Sequence, residues 1–191
     1  MEKWDACGFP VDETELLGRE CFGGLDLSST TDITALVLVF PPRTEDEKYI
    51  LLPYFWIPEE NMRLRVRRDH VPYDNWEQQG FLKTTEGNVI HYGFIEKFIE
   101  ELGIKYNIRE IAFDRWGAVQ MVQNLEGFGF TVVPFGQGFK DMSPPSKELM
   151  KLTLEQRLAH GGHPVLRWMM DNIFVRTDPA GNIKPDKEKS T

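Results

Sequence analysis

The sequence predicts an α/β domain: a mixed central sheet, built from an antiparallel three-strand meander plus parallel strands, with helices on its faces. Three observations carry this expectation. Three apolar, β-rich segments lie between residues 21 and 57 with only polar turns between them. From His91 onward, helix and strand patterns alternate, the order that gives a sheet covered by helices. The chain has 191 residues, 41% of them hydrophobic, which suits one domain with a substantial core.

Residues 1–20 are polar and irregular and read as an N-terminal arm or linker; the domain is expected over 21–191. The first strand starts at Cys21 and runs through Phe22-Gly23-Gly24-Leu25-Asp26-Leu27, followed by a polar turn, Ser28-Ser29-Thr30-Thr31-Asp32. Ile33 to Phe40 is apolar and β-branched, a second strand stopped by Pro41-Pro42. Tyr49 to Ile57 reads as the third, ended by Pro58. Glu59 to Gln79 is charged and partly helical, and Leu82 to Ile90 is extended with a turn at Glu86-Gly87-Asn88. His91 to Tyr106 places Phe94, Ile95, Phe98, Ile99 and Leu102 at helical spacing. Ile108 to Phe113 is a short strand with Asp114 at its C-terminal end. A helix over Val119 to Leu125, closed by Gly127, and a strand over Thr131 to Phe135 follow. Ser143-Pro144-Pro145-Ser146 opens a helix with Ser143 or Ser146 as N-cap and 147–159 as its body, broken by Gly161-Gly162. Val165 to Val175 is apolar around Trp168, and the tail from Arg176 is polar and Lys-rich.

Composition bounds the function. Net charge is -8, which argues against a free-standing tight DNA binder, because phosphate neutralisation needs clustered Lys and Arg. It leaves a nuclease open, since metal sites concentrate carboxylates and a partner can hold the DNA. No apolar run approaches the roughly 18 residues of a membrane span, and Met1 to Asp5 lacks a signal-peptide layout. Cys7 and Cys21 have no metal-type spacing, so a reduced, cytoplasmic setting is the simple reading. No glycine-rich phosphate loop ending in Lys-Ser or Lys-Thr marks a motor ATPase.

Two carboxylates carry the chemistry. Asp is disfavoured within a buried strand unless it has a partner, and a divalent cation is one such partner, Mg²⁺ or Mn²⁺ for hard oxygen ligands. Asp26 meets that description; its alternative role is to bond the turn formed by residues 28–31. Asp32 either approaches the same site or caps the turn. In Ile111-Ala112-Phe113-Asp114-Arg115-Trp116-Gly117 an apolar strand again ends in Asp. Ligands of α/β sheets gather beyond the C-terminal strand ends, so adjacent strands would bring Asp26 and Asp114 together around a cation. Two ions about 4 Å apart could then serve phosphodiester hydrolysis. The alternative for Asp114 is an N-cap on the next helix with Arg115 as ion-pair partner.

The stretch Gly23 to Asp32, the Phe113-Asp114-Arg115 strand end, the segment His160-Gly161-Gly162-His163-Pro164-Val165-Leu166-Arg167-Trp168 and the tail Thr177 to Ser190 together resemble the nuclease half of tailed-phage terminase large subunits, of the HK97-like type. The resemblance covers the chain from about Cys21 onward. It implies an RNase H-like fold and a metal-dependent endonuclease, largely sequence-independent, that cuts double-stranded viral DNA during packaging in the host cytoplasm. It implies Mg²⁺ or Mn²⁺ at a two-metal site, Asp26 and Asp114 as metal ligands and Asp32 as an auxiliary acid. It further implies an ATPase domain in the full-length protein, a small terminase subunit and a portal as partners, and a third carboxylate on a helix beyond Thr191. Asp171, Asp178 and Asp186 are possible substitutes that no pattern singles out.

Other features carry weaker expectations. The Gly-rich loop and helix start around Gln137, Lys140, Ser143, Ser146 and Lys147 could bring N–H groups and lysines to a phosphate. Arg63-Leu64-Arg65-Val66-Arg67-Arg68 reads as a salt-bridged, solvated face rather than a DNA contact. His160 and His163 read as turn and helix-end residues rather than metal ligands, and Trp116 and Trp168 as core. Rival functions are a sugar-kinase or actin-like ATPase, whose first phosphate loop Gly24 to Thr31 resembles, another RNase H-like enzyme of resolvase or transposase type, and a non-catalytic DNA-docking module.

Overall fold

The computed structural model describes residues 1–28, 32–114 and 118–190. Its strands are β1 (Glu20–Asp26), β2 (Thr34–Phe40), β3 (Tyr49–Pro58), β4 (Lys83–Thr85), β5 (Asn107–Asp114), β6 (Val132–Phe135), β7 (Leu158–Ala159), β8 (Val175–Thr177) and β9 (Ile183–Pro185). Its helices are α1 (Glu2–Asp5), α2 (Glu59–Asp69), α3 (Tyr73–Gln78), α4 (Tyr92–Lys105), α5 (Val119–Gly127), α6 (Phe139–Leu154) and α7 (Pro164–Asp171), with a 3-10 turn at Glu13–Leu16.

The sheet runs β4-β3-β2-β1-β5-β6, with β7 added to β3. β1, β2 and β3 pair antiparallel, as the meander predicts, and β5 and β6 continue in parallel from β1. Parallel pairing needs a crossover, and α4 and α5 supply the crossovers. Their apolar residues, Ile95, Ile99 and Leu102 on α4 and Met121 and Leu125 on α5, pack against Cys21, Leu25, Leu36, Leu38, Phe40, Ile111 and Phe113. This alternate set of strand residues forms one continuous core face.

The opposite face is covered only in part. Over β2 and β3 it meets α1, α6 and α7 through Trp4, Leu149, Leu152, Leu166 and Met170, and α2 and α3 through Met62, Tyr73 and Trp76. Over β1 it is open: Phe22 is 41% exposed, and Gly24 and Asp26 also face solvent.

Four local expectations need correction. The arm is not a loose linker, because Trp4, Cys7 and Leu16 are buried against the domain. The helix does not begin at the Ser-Pro-Pro-Ser segment: α6 starts at Phe139 with Gly138 as N-cap and carries Pro144 and Pro145 inside it. By the i→i−4 rule the two prolines deprive the carbonyls of Lys140 and Asp141 of helical partners. Both residues are exposed, so water can replace those bonds. Residues 158–159 leave the helix for β7, and the polar tail forms the β8–β9 hairpin. The basic run on α2 is salt-bridged as expected: Arg63 pairs with Glu59, and Arg65 and Arg68 both pair with Asp69.

Candidate metal centre

The register of β1 and β5 sets the geometry. Cys21 pairs with Ile108, but Phe22 pairs with Glu110, so Arg109 is an extra residue that makes a bulge. Beyond it the pairing continues to Leu25 opposite Phe113. The next residue on each strand is Asp26 and Asp114. Without the bulge, the same count would set Asp26 opposite Phe113, which belongs to the core face. Leu25 and Phe113 are both buried, so strand alternation turns Asp26 and Asp114 together to the open face. Neighbouring strands lie about 4.8 Å apart. At about 5 Å two carboxylates repel by roughly 1–3 kcal/mol for effective dielectrics between 80 and 20. A cation between them removes that cost.

A cation is at hand within the chain. The Lys187 ammonium donates to both oxygens of Asp26, at 3.1 Å to Oδ1 and 3.3 Å to Oδ2. Asp26 is therefore not the buried strand residue the sequence suggests. Its side chain is 57% exposed, at the end of a strand whose other face is core. Carboxylate oxygens on neighbouring strand ends suit a hard divalent ion, and those of Asp26 are open to solvent and face a positive charge.

The base of the loop after β1 is tied down. The Ser28 N–H donates to Thr34 Oγ1 at 3.0 Å, and the Ser28 hydroxyl donates to the Asp32 carbonyl at 2.5 Å. The Tyr92 hydroxyl donates to the Ser28 carbonyl at 3.0 Å, joining the loop to the start of α4. Thr34 is fully buried, so these bonds form where water cannot compete. Asp32 is exposed, and its carbonyl is bonded by Ser28, two residues beyond Asp26. Residues 29–31, which the alternative role of Asp26 invokes, lie outside the described residues, as do Arg115 and Trp116. Asp114 is not the N-cap of α5: that position is Ala118, which makes no side-chain cap bond.

The loop and helix start proposed for phosphate contact separate into two groups. Lys140 and Lys147 are exposed on α6 and Ser146 is half-buried. Ser143 is 3% exposed and its hydroxyl accepts from the Ile183 N–H at 3.1 Å. It anchors the tail instead of facing solvent.

The histidines do structural work. His160 stacks on Trp4 with ring centroids 4.3 Å apart and hydrogen-bonds the Trp4 carbonyl at 2.7 Å. His163 caps α7 by accepting from the Leu166 N–H, and burial holds its imidazole down at about 4, with His160 adding to the shift. Trp168 packs with Tyr73 and Trp76. Among the possible substitute carboxylates, Asp178 accepts from the Ala180 and Asn182 N–H groups and shapes the β8–β9 turn. Asp186 is 5% exposed and organises the turn that follows β9. Among the described residues no group of three or more His, Cys, Asp or Glu side chains could hold a metal ion. Lys187, Ser28, Thr34 and Tyr92 are the residues that sequence reasoning missed as site components.

Comparison with known proteins adds the relationship. A family profile described as the terminase large subunit, endonuclease domain, matches residues 1–191. The chain is 38% identical over 191 residues to the terminase large subunit of Enterobacteria phage HK97, covering 98% of this chain and 37% of that protein. It thus spans less than two fifths of that relative's length. The crystal structure of the HK97 large terminase superposes with a TM-score of 0.88 at 38% identity, covering 100% of this chain and 39% of that one. The large terminase nuclease of thermophilic phage G20c with bound magnesium gives a TM-score of 0.53 at 11% identity, covering 96% of this chain and 86% of that one. The nuclease domain of the large terminase of bacteriophage SPP1 with bound Mn gives 0.52 at 13% identity, covering 95% and 85%. The last two show likeness of fold.

Proposed function

The chain belongs to the family of terminase large-subunit endonuclease domains and has their RNase H-like fold, and from that premise we propose that it is a divalent-metal-dependent endonuclease acting on double-stranded DNA during genome packaging. The observation that carries this reading is the register that sets Asp26 and Asp114 side by side on the open face of the sheet. The magnesium and manganese bound by related nuclease domains support Mg²⁺ or Mn²⁺ as the ion. When bound, one or two such ions would supply Lewis acidity toward the attacking water and the leaving oxygen of the phosphodiester.

The chain's own residues hold and orient. Asp26 and Asp114 bind the cation from adjacent strands, and Asp32 supports the site from its margin. Gly24, two residues before Asp26, leaves the sheet floor bare: a Cβ there would meet nothing within 4 Å. A duplex backbone can approach the strand ends across that floor. Lys140 and Lys147 on α6 contact phosphates, with Ser146 beside them, and read no bases, in keeping with cleavage that is largely independent of sequence. Further partners follow from the family: an ATPase domain in the same full-length protein, a small terminase subunit and a portal, in the host cytoplasm. Among the described residues no helix is long and apolar enough to cross a membrane.

Mn²⁺-dependent conversion of supercoiled plasmid to nicked and linear forms tests the reading. Asp26→Asn and Asp114→Asn should each lower the rate by about 100-fold or more, since even changes behind a metal ligand cost up to about that factor. Cleavage that survives both substitutions would refute the assignment. Preference for a branched over a linear substrate would move it to a resolvase-like enzyme.

A further inference from the structure

We propose that Lys187 is a built-in counter-ion of the metal site, holding the place beside Asp26 that a divalent cation takes, so that metal entry requires its ammonium to move aside. The inference rests on the metal-site reading above and specifies how that site is kept in the absence of metal.

The contact is not that of a lysine on a loose tail. Lys187 follows Asp186, whose side chain is buried and whose Oδ1 accepts from the Glu188 N–H at 3.0 Å. The Asp186 N–H donates to the Phe174 carbonyl at 2.8 Å, and the Asp186 carbonyl accepts from the Ser190 N–H at 2.9 Å and from the Ser190 hydroxyl at 2.7 Å. Upstream, Ile183 is tied to Ser143 and the Lys184 ammonium donates to the Gln137 carbonyl at 3.3 Å. The backbone on either side of Lys187 is thus fixed to α6 and to the start of the hairpin. The side chain is delivered across 161 residues of sequence to one carboxylate.

Its position on that carboxylate is the one a metal would need. The ammonium approaches both oxygens nearly equally, along the direction a chelated cation occupies. It offsets the negative charge of Asp26 at the end of β1. The pair is weak enough to exchange: the Lys187 and Asp26 side chains are 62% and 57% exposed, and exposed ion pairs contribute little. Displacing Lys187 therefore weakens metal binding only by a factor of about two to five.

Isothermal titration of the purified protein with Mn²⁺, without DNA, tests the proposal. Lys187→Met should tighten the Asp26-dependent Kd by about two- to fivefold, and Lys187→Arg, which keeps the charge, should stay close to the unaltered protein. Asp26→Asn should abolish the binding, and Lys187→Gln repeats the charge removal should the Met variant melt early. An unchanged or weaker Kd in both neutral variants, with Asp26-dependent binding intact, overturns the counter-ion role and leaves the metal site standing. Absence of any Asp26-dependent binding overturns the metal site and this proposal with it.

Discussion

In the proposed site Asp26 should matter to function and little to stability. Asp26 is exposed and its ion pair with Lys187 lies at the surface, so Asp26→Asn should change stability by no more than about 1 kcal/mol while removing metal binding. Chemical denaturation beside Mn²⁺ titration checks both halves. The cysteines should be inert. Cys7 and Cys21 are fully buried, and burial pushes the Cys21 thiol up to about 12, far from the thiolate needed for reaction. A thiol reagent should label neither in the native state and both after unfolding. His163 gives a pH dependence. Its imidazole is held near 4, below its unfolded value, so the neutral form is the one the fold favours. Its contribution is complete above about pH 6.5 and is lost as pH falls from there toward 4. The melting temperature should drop between pH 7 and pH 5, and His163→Asn, which keeps a cap without a titrating ring, should drop less. At this scale the two candidate acids stand out in the sequence because Asp is rare in apolar strand segments, although Asp26 proves exposed and not buried within its strand. Lys187 was not: its partner is 161 positions away and nothing in the Lys-rich tail marks one lysine above another.

Among the elements, the meander and α4 were legible because their periodicities, two and 3.6, persist over whole segments. The bulge at Arg109 was not, since one extra residue in Ile108 to Glu110 leaves no pattern, yet it decides which residue of β5 stands beside Asp26. The start of α6 was hidden by Pro144 and Pro145, which read as a helix opening while the first turn lies upstream in a Gly-rich loop. The arm looked like a linker because few of its residues, chiefly Trp4, Cys7 and Leu16, are buried. Two substitutions separate floor from core. Gly24→Val fills the open face two residues before Asp26 and meets no neighbour, so the fold should keep its melting temperature while plasmid cleavage falls. Ile99→Ala, on the buried stripe of α4, should cost about 2–5 kcal/mol by denaturant unfolding without altering the residues at the site.

For the whole molecule, a sheet covered on one face and half bare on the other leaves a working surface where β1 and β5 end. On the proposed function, a net charge of -8 leaves DNA binding at this surface to a few local contacts and a divalent ion, against the repulsion of the rest. Lys140 and Lys147, exposed on α6, are the proposed sources of such contacts. In the proposed site Asp26 and Asp114 share a divalent ion. Anomalous diffraction from a crystal soaked in Mn²⁺ measures this directly. The expected result is a peak between the two carboxylates, about 2.1 Å from an oxygen of each, with the Lys187 ammonium moved off Asp26. A manganese ion bound elsewhere while Lys187 remains on Asp26 would contradict it.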